Sequence, residues 1–281
     1  MSDSIFHPQQ LIAKDFEAFG VPPVVVLHPD PPRTETAAMK LQDWINWRAA
    51  PYPAQRHSEY LALPRDSSTS APKILLSAVL PVPDSFQEYV EQQPTRNRPK
   101  VRANRAIKAG YSSRRIDPAD HAQEIHDIVH SSETRQGRAI AERFASRPPS
   151  HEFPEFAPTG DPNYDDICVG VFARDGRLAA YLLGKRVAAH VQYEEIMGHA
   201  STLRDGTMWL LHRTLIETAA TVSSPPRWLH YGSWYSGNDP FSPNKGLNLW
   251  KRKAGFTPAY LTLASSLPDN PARGPRSSPA C

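Results

Sequence analysis

Eight cations, Arg96, Arg98, Lys100, Arg102, Arg105, Lys108, Arg114 and Arg115, fall within one stretch of chain that contains no acid. Such a stretch either attracts phosphate or a carboxylate-rich partner, or is a solvated face with no partner at all. Arg135 and Arg138 flank Gln136-Gly137. A guanidinium can grip a carboxylate or phosphate through two parallel N–H donors, though an ordinary helix-surface arginine looks the same in sequence. Other chemistries are missing from the spacing. The 11 histidines form no His-x-x-His or Glu-x-x-His pattern and the two cysteines, Cys168 and Cys281, are not paired in spacing, so no metal site is expected. There is no Gly-x-Ser-x-Gly elbow and no Walker loop.

These residues must be held by a fold, and composition sets its bounds. With 281 residues, 40% hydrophobic and 22% charged, the chain can bury a sizeable core. Length alone leaves one or two domains open. Proline is the outlier, at 29 against 14 glycines, and implies many extended and turn segments because it lacks the N–H that helix interiors and central strands need. A net charge of +3 and a pI near 8.8 are too mild to imply a nucleic-acid partner by themselves. Residues 1–18 lack a basic segment followed by an apolar one, no apolar run approaches the ~20 residues that span a bilayer, and two cysteines cannot make a disulfide framework. A cytoplasmic protein without a membrane partner is expected.

Residues 1–99 read as a proline-rich N-terminal arm packing on a main domain, with strands at Val24–Leu27 and Ile74–Leu80, a helix at Thr36–Trp47 and a loop at Asp66–Pro72. From residue 100 the pattern becomes regular. Val101–Ile116 reads as a strand broken near Gly110. Asp117-Pro118 then supplies an N-cap and a first-turn proline for a helix bearing Ala122, Ile125, Ile128 and Val129, and Arg135–Phe144 resumes helix after Ser131-Ser132. Strands at Ile167–Ala173 and Leu178–Val187 join through Asp175-Gly176, a pair suited to a tight hairpin, and Val191–Ala200 is a third. Asp205 is placed to cap a helix through Ala220. A strand at Trp228–Trp234, a helix at Pro243–Lys253 and a strand at Phe256–Leu263 complete a domain over 100–264, and residues 265–281 read as a disordered tail. The fold class is α/β, of the α+β kind, with a mixed, mostly antiparallel sheet flanked by helices.

That order of one strand, two helices, three antiparallel strands, helix, strand, helix and strand resembles the GNAT acyltransferase fold. Enzymes of that family hold the diphosphate of acetyl-CoA on a Gln/Arg-x-x-Gly-x-Gly/Ala loop that opens the helix after the fourth strand, its glycines letting backbone N–H groups close on phosphate. The matching segment here, His199 to Met208, has one glycine, and Asp205 sets a carboxylate where the diphosphate would sit. The segments Trp228-Leu229-His230-Tyr231-Gly232 and Lys245-Gly246-Leu247-Asn248-Leu249-Trp250-Lys251-Arg252-Lys253-Ala254-Gly255-Phe256 resemble instead the Fem-type aminoacyl-tRNA-dependent transferases. Those share the GNAT fold, do not use CoA, and set an aromatic and a lysine at the aminoacyl ester. Fem proteins usually have two such domains and often a helical arm. This chain has length for one, and is similar to the single-domain, alanyl-tRNA-dependent type of pacidamycin antibiotic biosynthesis.

The resemblance implies amide formation without a cofactor. An amine on an acceptor, such as a carrier-protein-bound peptide, attacks the ester of aminoacyl-tRNA, in peptide natural-product or cell-wall biosynthesis. Lys251 would stabilise the oxyanion or the leaving ribose hydroxyl, a contribution of ~3 kcal/mol. Tyr231 would donate to the leaving oxygen, or be a buried structural tyrosine. Trp250 would stack on the terminal adenine, worth ~1–3 kcal/mol, or be core. Tyr193 and His199 would face the acyl group, and Arg135 and Arg138 stand where a GNAT fold presents its acceptor-binding loop. Arg102, Arg105, Lys108, Lys245, Arg252 and Lys253 would line a phosphate track for tRNA. Two other readings stay open: an acetyl-CoA-dependent N-acyltransferase, whose 199–208 loop binds diphosphate despite Asp205, and a catalytically inactive GNAT-like binding protein.

Overall fold

The structure, a computed structural model, describes residues 24–27, 31–49, 75–92, 98–135, 138–234 and 245–263. In chain order its elements are β1 (Val24–Leu27), α1 (Glu35–Ala49), β2 (Leu75–Pro81), α2 (Phe86–Gln92), α3 (Arg98–Lys108), β3 (Ser112–Arg115), α4 (Ala122–His130), β4 (Thr134–Arg135), β5 (Arg138–Ala139), α5 (Glu142–Ala145), β6 (Ile167–Phe172), β7 (Leu178–Val187), β8 (His190–Gly198), α6 (Thr207–Thr221), β9 (Trp228–Ser233), α7 (Lys245–Lys253) and β10 (Thr257–Leu263). Eight strands form one sheet in the order β1-β10-β2-β9-β8-β7-β6-β3. The β1/β10 and β8/β9 pairs are parallel and the others antiparallel. The chain is thus of the mixed α/β class expected, with the GNAT-like element order from β6 to β10.

The long apolar runs are strands buried on both faces. Along β6, Ile167, Val169 and Val171 join the core under α2, α3 and α6, while Cys168 and Phe172 join the core under α4. The Asp175-Gly176 turn forms as read, with Gly176 at φ +85° and Ala173 N–H donating to the Arg177 carbonyl at 2.9 Å. α1 covers the same face as α4, through Trp44 against Val79, Tyr164 and Val187. It is pinned by the buried Lys40, whose ammonium donates to the Asp166 carboxylate and, at 2.6 Å, to the Tyr164 carbonyl. The strands read at 24–27 and 74–80 are present, as is the 36–47 helix within α1, and β2 lies between β10 and β9 inside the sheet. The loop at 66–72 and the tail at 265–281 lie outside the described residues. Among the described residues, no helix is long and apolar enough to cross a membrane.

Three local expectations are corrected. Val101–Ile116 is not one strand: it is mostly the helix α3 followed by the short β3. Ala103 and Ala106, both fully buried, are the inward face of that helix, and small side chains there let it lie close to α6. α3 ends on a Schellman motif, with Tyr111 N–H bonded to the Ala106 carbonyl, Gly110 N–H to that of Ile107, and Gly110 at φ +94°. Arg135–Phe144 is not a helix either: Arg135 pairs with Arg138 across the β4/β5 hairpin, and only the one-turn α5 follows. Finally, Asp205 does not cap α6. The N-cap is Gly206, at φ +94°.

Candidate functional site

β8 and β9 pair only where residues 190–192 meet 228–230. Beyond Gln192 the two parallel strands part, and aromatic side chains fill the wedge between them. Tyr193 comes from β8 and Tyr231 from β9, their ring centroids 5.1 Å apart. His212 of α6, Trp250 of α7 and Phe256 pack among them at 5.5–6.4 Å. The sequence causes this at Gly255. With φ +82° it ends α7 in a second Schellman motif, Phe256 N–H bonding to the Lys251 carbonyl at 3.0 Å and Gly255 N–H to that of Arg252 at 3.1 Å. The chain therefore turns back at once, setting Phe256 in the core beside Trp250.

Lys251 is drawn into the same wedge and is only 1% exposed. Its Nζ stands 4.8 Å from the centroid of the Tyr231 ring, a cation–π distance. Burial lowers its pKa from 10.5 to about 7, so the amine is poised between charged and neutral near physiological pH. The Tyr231 hydroxyl is pushed the other way by burial, well above its ordinary value, and stays protonated as a donor. Trp250 is half-buried, edge-on to Tyr231 at 5.6 Å and also 5.6 Å from Trp209 in the first turn of α6.

Behind these groups lies a hydrogen-bond chain. His212 Nδ1 is 2.6 Å from the Tyr193 hydroxyl, and its Nε2 is 3.1 Å from the Tyr89 hydroxyl and 3.3 Å from the Ala254 carbonyl. Tyr89 in turn donates to that carbonyl at 2.8 Å. Complete burial lowers the His212 pKa from 6.5 to about 4, so the ring is neutral. The assignment that satisfies all four groups has Tyr193 donating to Nδ1 and the ring proton on Nε2. This network holds the carbonyl end of α7, and with it the backbone three residues beyond Lys251. Sequence reasoning missed both partners, although signals existed. His212 sits on the apolar face shared by Met208, Leu211 and Leu215, and Ser85 with Glu88 is a capping-box pattern announcing α2, where Ser85 Oγ accepts from Glu88 N–H at 3.1 Å.

The start of α6, where a diphosphate loop would lie, is occupied. The Asp205 carboxylate is there, accepting from the Tyr111 hydroxyl at 2.9 Å. The backbone of α3 closes over Gly206, where an added Cβ would stand 2.3 Å from the Arg102 carbonyl oxygen.

The remaining predicted residues are dispersed. His199 sits at the end of β8 as the cap of a 3-10 turn, its Nδ1 2.8 Å from Ser201 Oγ. Arg135 spends its guanidinium on two backbone carbonyls and a hydroxyl, donating to the Gly198 carbonyl at 2.7 Å, to that of Ile128, and to Ser131 Oγ at 3.0 Å. Arg138 lies across the hairpin from it, its side chain outside the described residues. Of the six basic residues, Arg102, Arg105 and Lys108 are exposed on α3, whereas Lys245, Arg252 and Lys253 belong to α7. Arg252 is exposed with its guanidinium 5.8 Å over the Trp234 ring, and Lys253 is half-buried. Lys251, Tyr231, Trp250 and Tyr193 are therefore brought together, while His199, Arg135 and the three cations of α3 stand on other elements.

No protein-family model and no curated protein matches this chain. Solved structures do. FemX matches at 11% identity and a TM-score of 0.49, over 70% of this chain and 61% of its own. The C-terminal domain of a putative lysylphosphatidylglycerol synthetase from Agrobacterium fabrum matches at 12% identity and 0.44, over 66% and 58%. A GCN5-related N-acetyltransferase from Kribbella flavida matches at 14% identity and 0.36, over 68% and 55%. The chain thus spans less than two thirds of the length of each, and likeness at this level transfers no activity.

Proposed function

We propose that this chain is an acyltransferase of the aminoacyl-tRNA-dependent kind, which forms an amide by aminolysis of the aminoacyl ester. The observation that carries this reading is a lysine amine, 1% exposed, held against the Tyr231 ring where β8 and β9 part. The start of α6 supports it by setting the Asp205 carboxylate and the backbone of α3 where a diphosphate would approach.

In the proposed reaction the acceptor amine attacks the ester carbonyl carbon, giving a tetrahedral oxyanion. The carbon–oxygen bond to the ribose then breaks, and the amine's surplus proton passes to the departing ribose oxygen. Lys251 as an ammonium stabilises the oxyanion, Tyr231 donates to the leaving oxygen, and Trp250 offers a face to the terminal base. No covalent enzyme intermediate is needed. Because the Lys251 pKa lies at about 7, its contribution falls as pH rises through that value. The acceptor, a carrier-bound peptide, a cell-wall precursor or a small amine as in antibiotic biosynthesis, is left to the assay.

The test supplies radiolabelled aminoacyl-tRNAs in one arm and acetyl-CoA in the other, with a panel of amines, and measures amide formation and saturable binding. Transfer from aminoacyl-tRNA that drops at least tenfold in Lys251→Ala, with the fold retained, is the expected result. Tight CoA binding without tRNA binding would replace this reading by a CoA-dependent N-acyltransferase. A second reading, a catalytically inactive binding module, is favoured by the dense aromatic filling of the wedge, and binding without turnover in either arm would establish it.

A further inference from the structure

We infer that the exposed face of α3 is a docking surface for the phosphate backbone of RNA. Resting on the function proposed above, its occupant is the stem of the tRNA that carries the ester. α3 contains no acid, and Lys100, Arg102, Arg105 and Lys108 are all exposed on it, Arg105 and Lys108 facing away from the buried Ala103 and Ala106, and Lys100 and Arg102 at the borders of that buried face. Arg102, Arg105 and Lys108 make an oblique row rising about 9 Å along the helix. The row continues at both ends through residues that the sequence did not single out. Arg174 is exposed and lies along Gly110, where an added Cβ would meet its Nε at 2.0 Å. Arg204 is exposed on the 3-10 turn that packs against α3. Among the described residues, none of these six cations takes part in an ion pair. The nearby Asp205 is held by Tyr111.

Position links this row to the site. The Arg102 carbonyl lies against Gly206, and Trp209, three residues on, has its ring 5.6 Å from Trp250, the neighbour of Lys251. A strand whose phosphates follow α3 toward Arg102 therefore ends beside the aromatic wedge. The cations of α7 are poorer candidates, since Arg252 covers Trp234 and Lys253 is half-buried. A membrane surface fits less well than RNA. The exposed apolar residues of α3, Val101 at 59% and Ile107 at 45%, are six positions apart. They therefore lie about a third of a turn from each other and form no continuous stripe to insert.

The test measures binding of deacylated tRNA and of a short RNA duplex by fluorescence anisotropy at several salt concentrations. It compares wild type, Arg102→Gln/Arg105→Gln/Lys108→Gln and Arg174→Gln/Arg204→Gln, with the urea midpoint of each variant as the check on folding. Loss of three phosphate contacts should weaken binding at least tenfold near 0.1 M salt and lower the slope of log K against log salt by about 2–3. The Arg174/Arg204 variant should lose a smaller factor in the same direction. Wild-type RNA binding that neither variant alters would overturn the α3 surface and leave the proposed function standing. Failure of wild type to bind RNA at all would overturn both, and capture by phosphatidylglycerol vesicles in that case would assign the row to a membrane surface instead.

Discussion

Lys251→Met keeps the length and unbranched stem of the side chain and removes its amine, so it isolates the cost of burying a titrating group. In the folded chain burial lowers the Lys251 pKa from 10.5 to about 7, while the unfolded chain keeps the ordinary value. Between those two values the unfolded state binds a proton that the folded state has released. Wild-type stability therefore rises with pH across this window, and is at its lowest plateau below it, where both states carry the charge. Integrating the linkage from pH 7 to pH 9 gives roughly 2 kcal/mol. Urea unfolding of both proteins at pH 7, 8 and 9 reads this directly, because all other titrating groups are common to the pair and cancel in the difference. Lys251→Met should lose about 2 kcal/mol relative to wild type over that range. Two stability curves that stay parallel would mean that the folded amine keeps its normal affinity for protons, and would remove the physical basis for a tunable cation at this site.

Lys40→Met strands the Asp166 carboxylate in the core, where burial already raises its pKa and where it also accepts from Arg186 N–H at 2.6 Å. The variant should lose about 3–5 kcal/mol in urea unfolding at pH 7, since one half of a buried ion pair costs far more alone than the pair. Gly206→Ala and Gly176→Ala test close approach at matched backbone geometry, φ +94° and φ +85°, because the first has the Arg102 carbonyl oxygen 2.3 Å from the added methyl and the second has nothing within 4 Å. Both pay the left-handed penalty of about 1–2 kcal/mol, and thermal unfolding should show Gly206→Ala losing at least ~1 kcal/mol more.

Much of the second half of the fold was legible because its signals are local. Continuous apolar runs bounded by Asp175-Gly176 announced β6 and β7, and the Lys245–Gly255 segment carried both a helix and its stop signal. α3 is hard to read because its pattern is inverted: Val101 and Ile107, its large apolar residues, are exposed, while Ala103 and Ala106 make the buried contact. The place of β2 was illegible for another reason. Its partners β9 and β10 are far along the chain, and no residue near Leu75–Pro81 encodes that pairing. In the candidate site, Lys251, Trp250 and Tyr231 were nominated by the resemblance that the 228–232 and 245–256 segments carry, not by their residue types. Their convergence depended on the turn at Gly255 and the parting of β8 from β9, and the positioning role of His212 on Tyr89, a residue of an element that had not been read at all.

The insertion of β2 between β10 and β9 means that the sheet cannot close until the last strands of the chain have been made. On the ribosome, residues 75–81 emerge long before residues 228–233 and 257–263, so a central strand must wait with both edges open until its neighbours are synthesised. The sheet closes late and through distant contacts. Expression of this chain should therefore be sensitive to elongation speed and to chaperones that shield unpaired edges, and the segment that needs shielding is Leu75–Pro81.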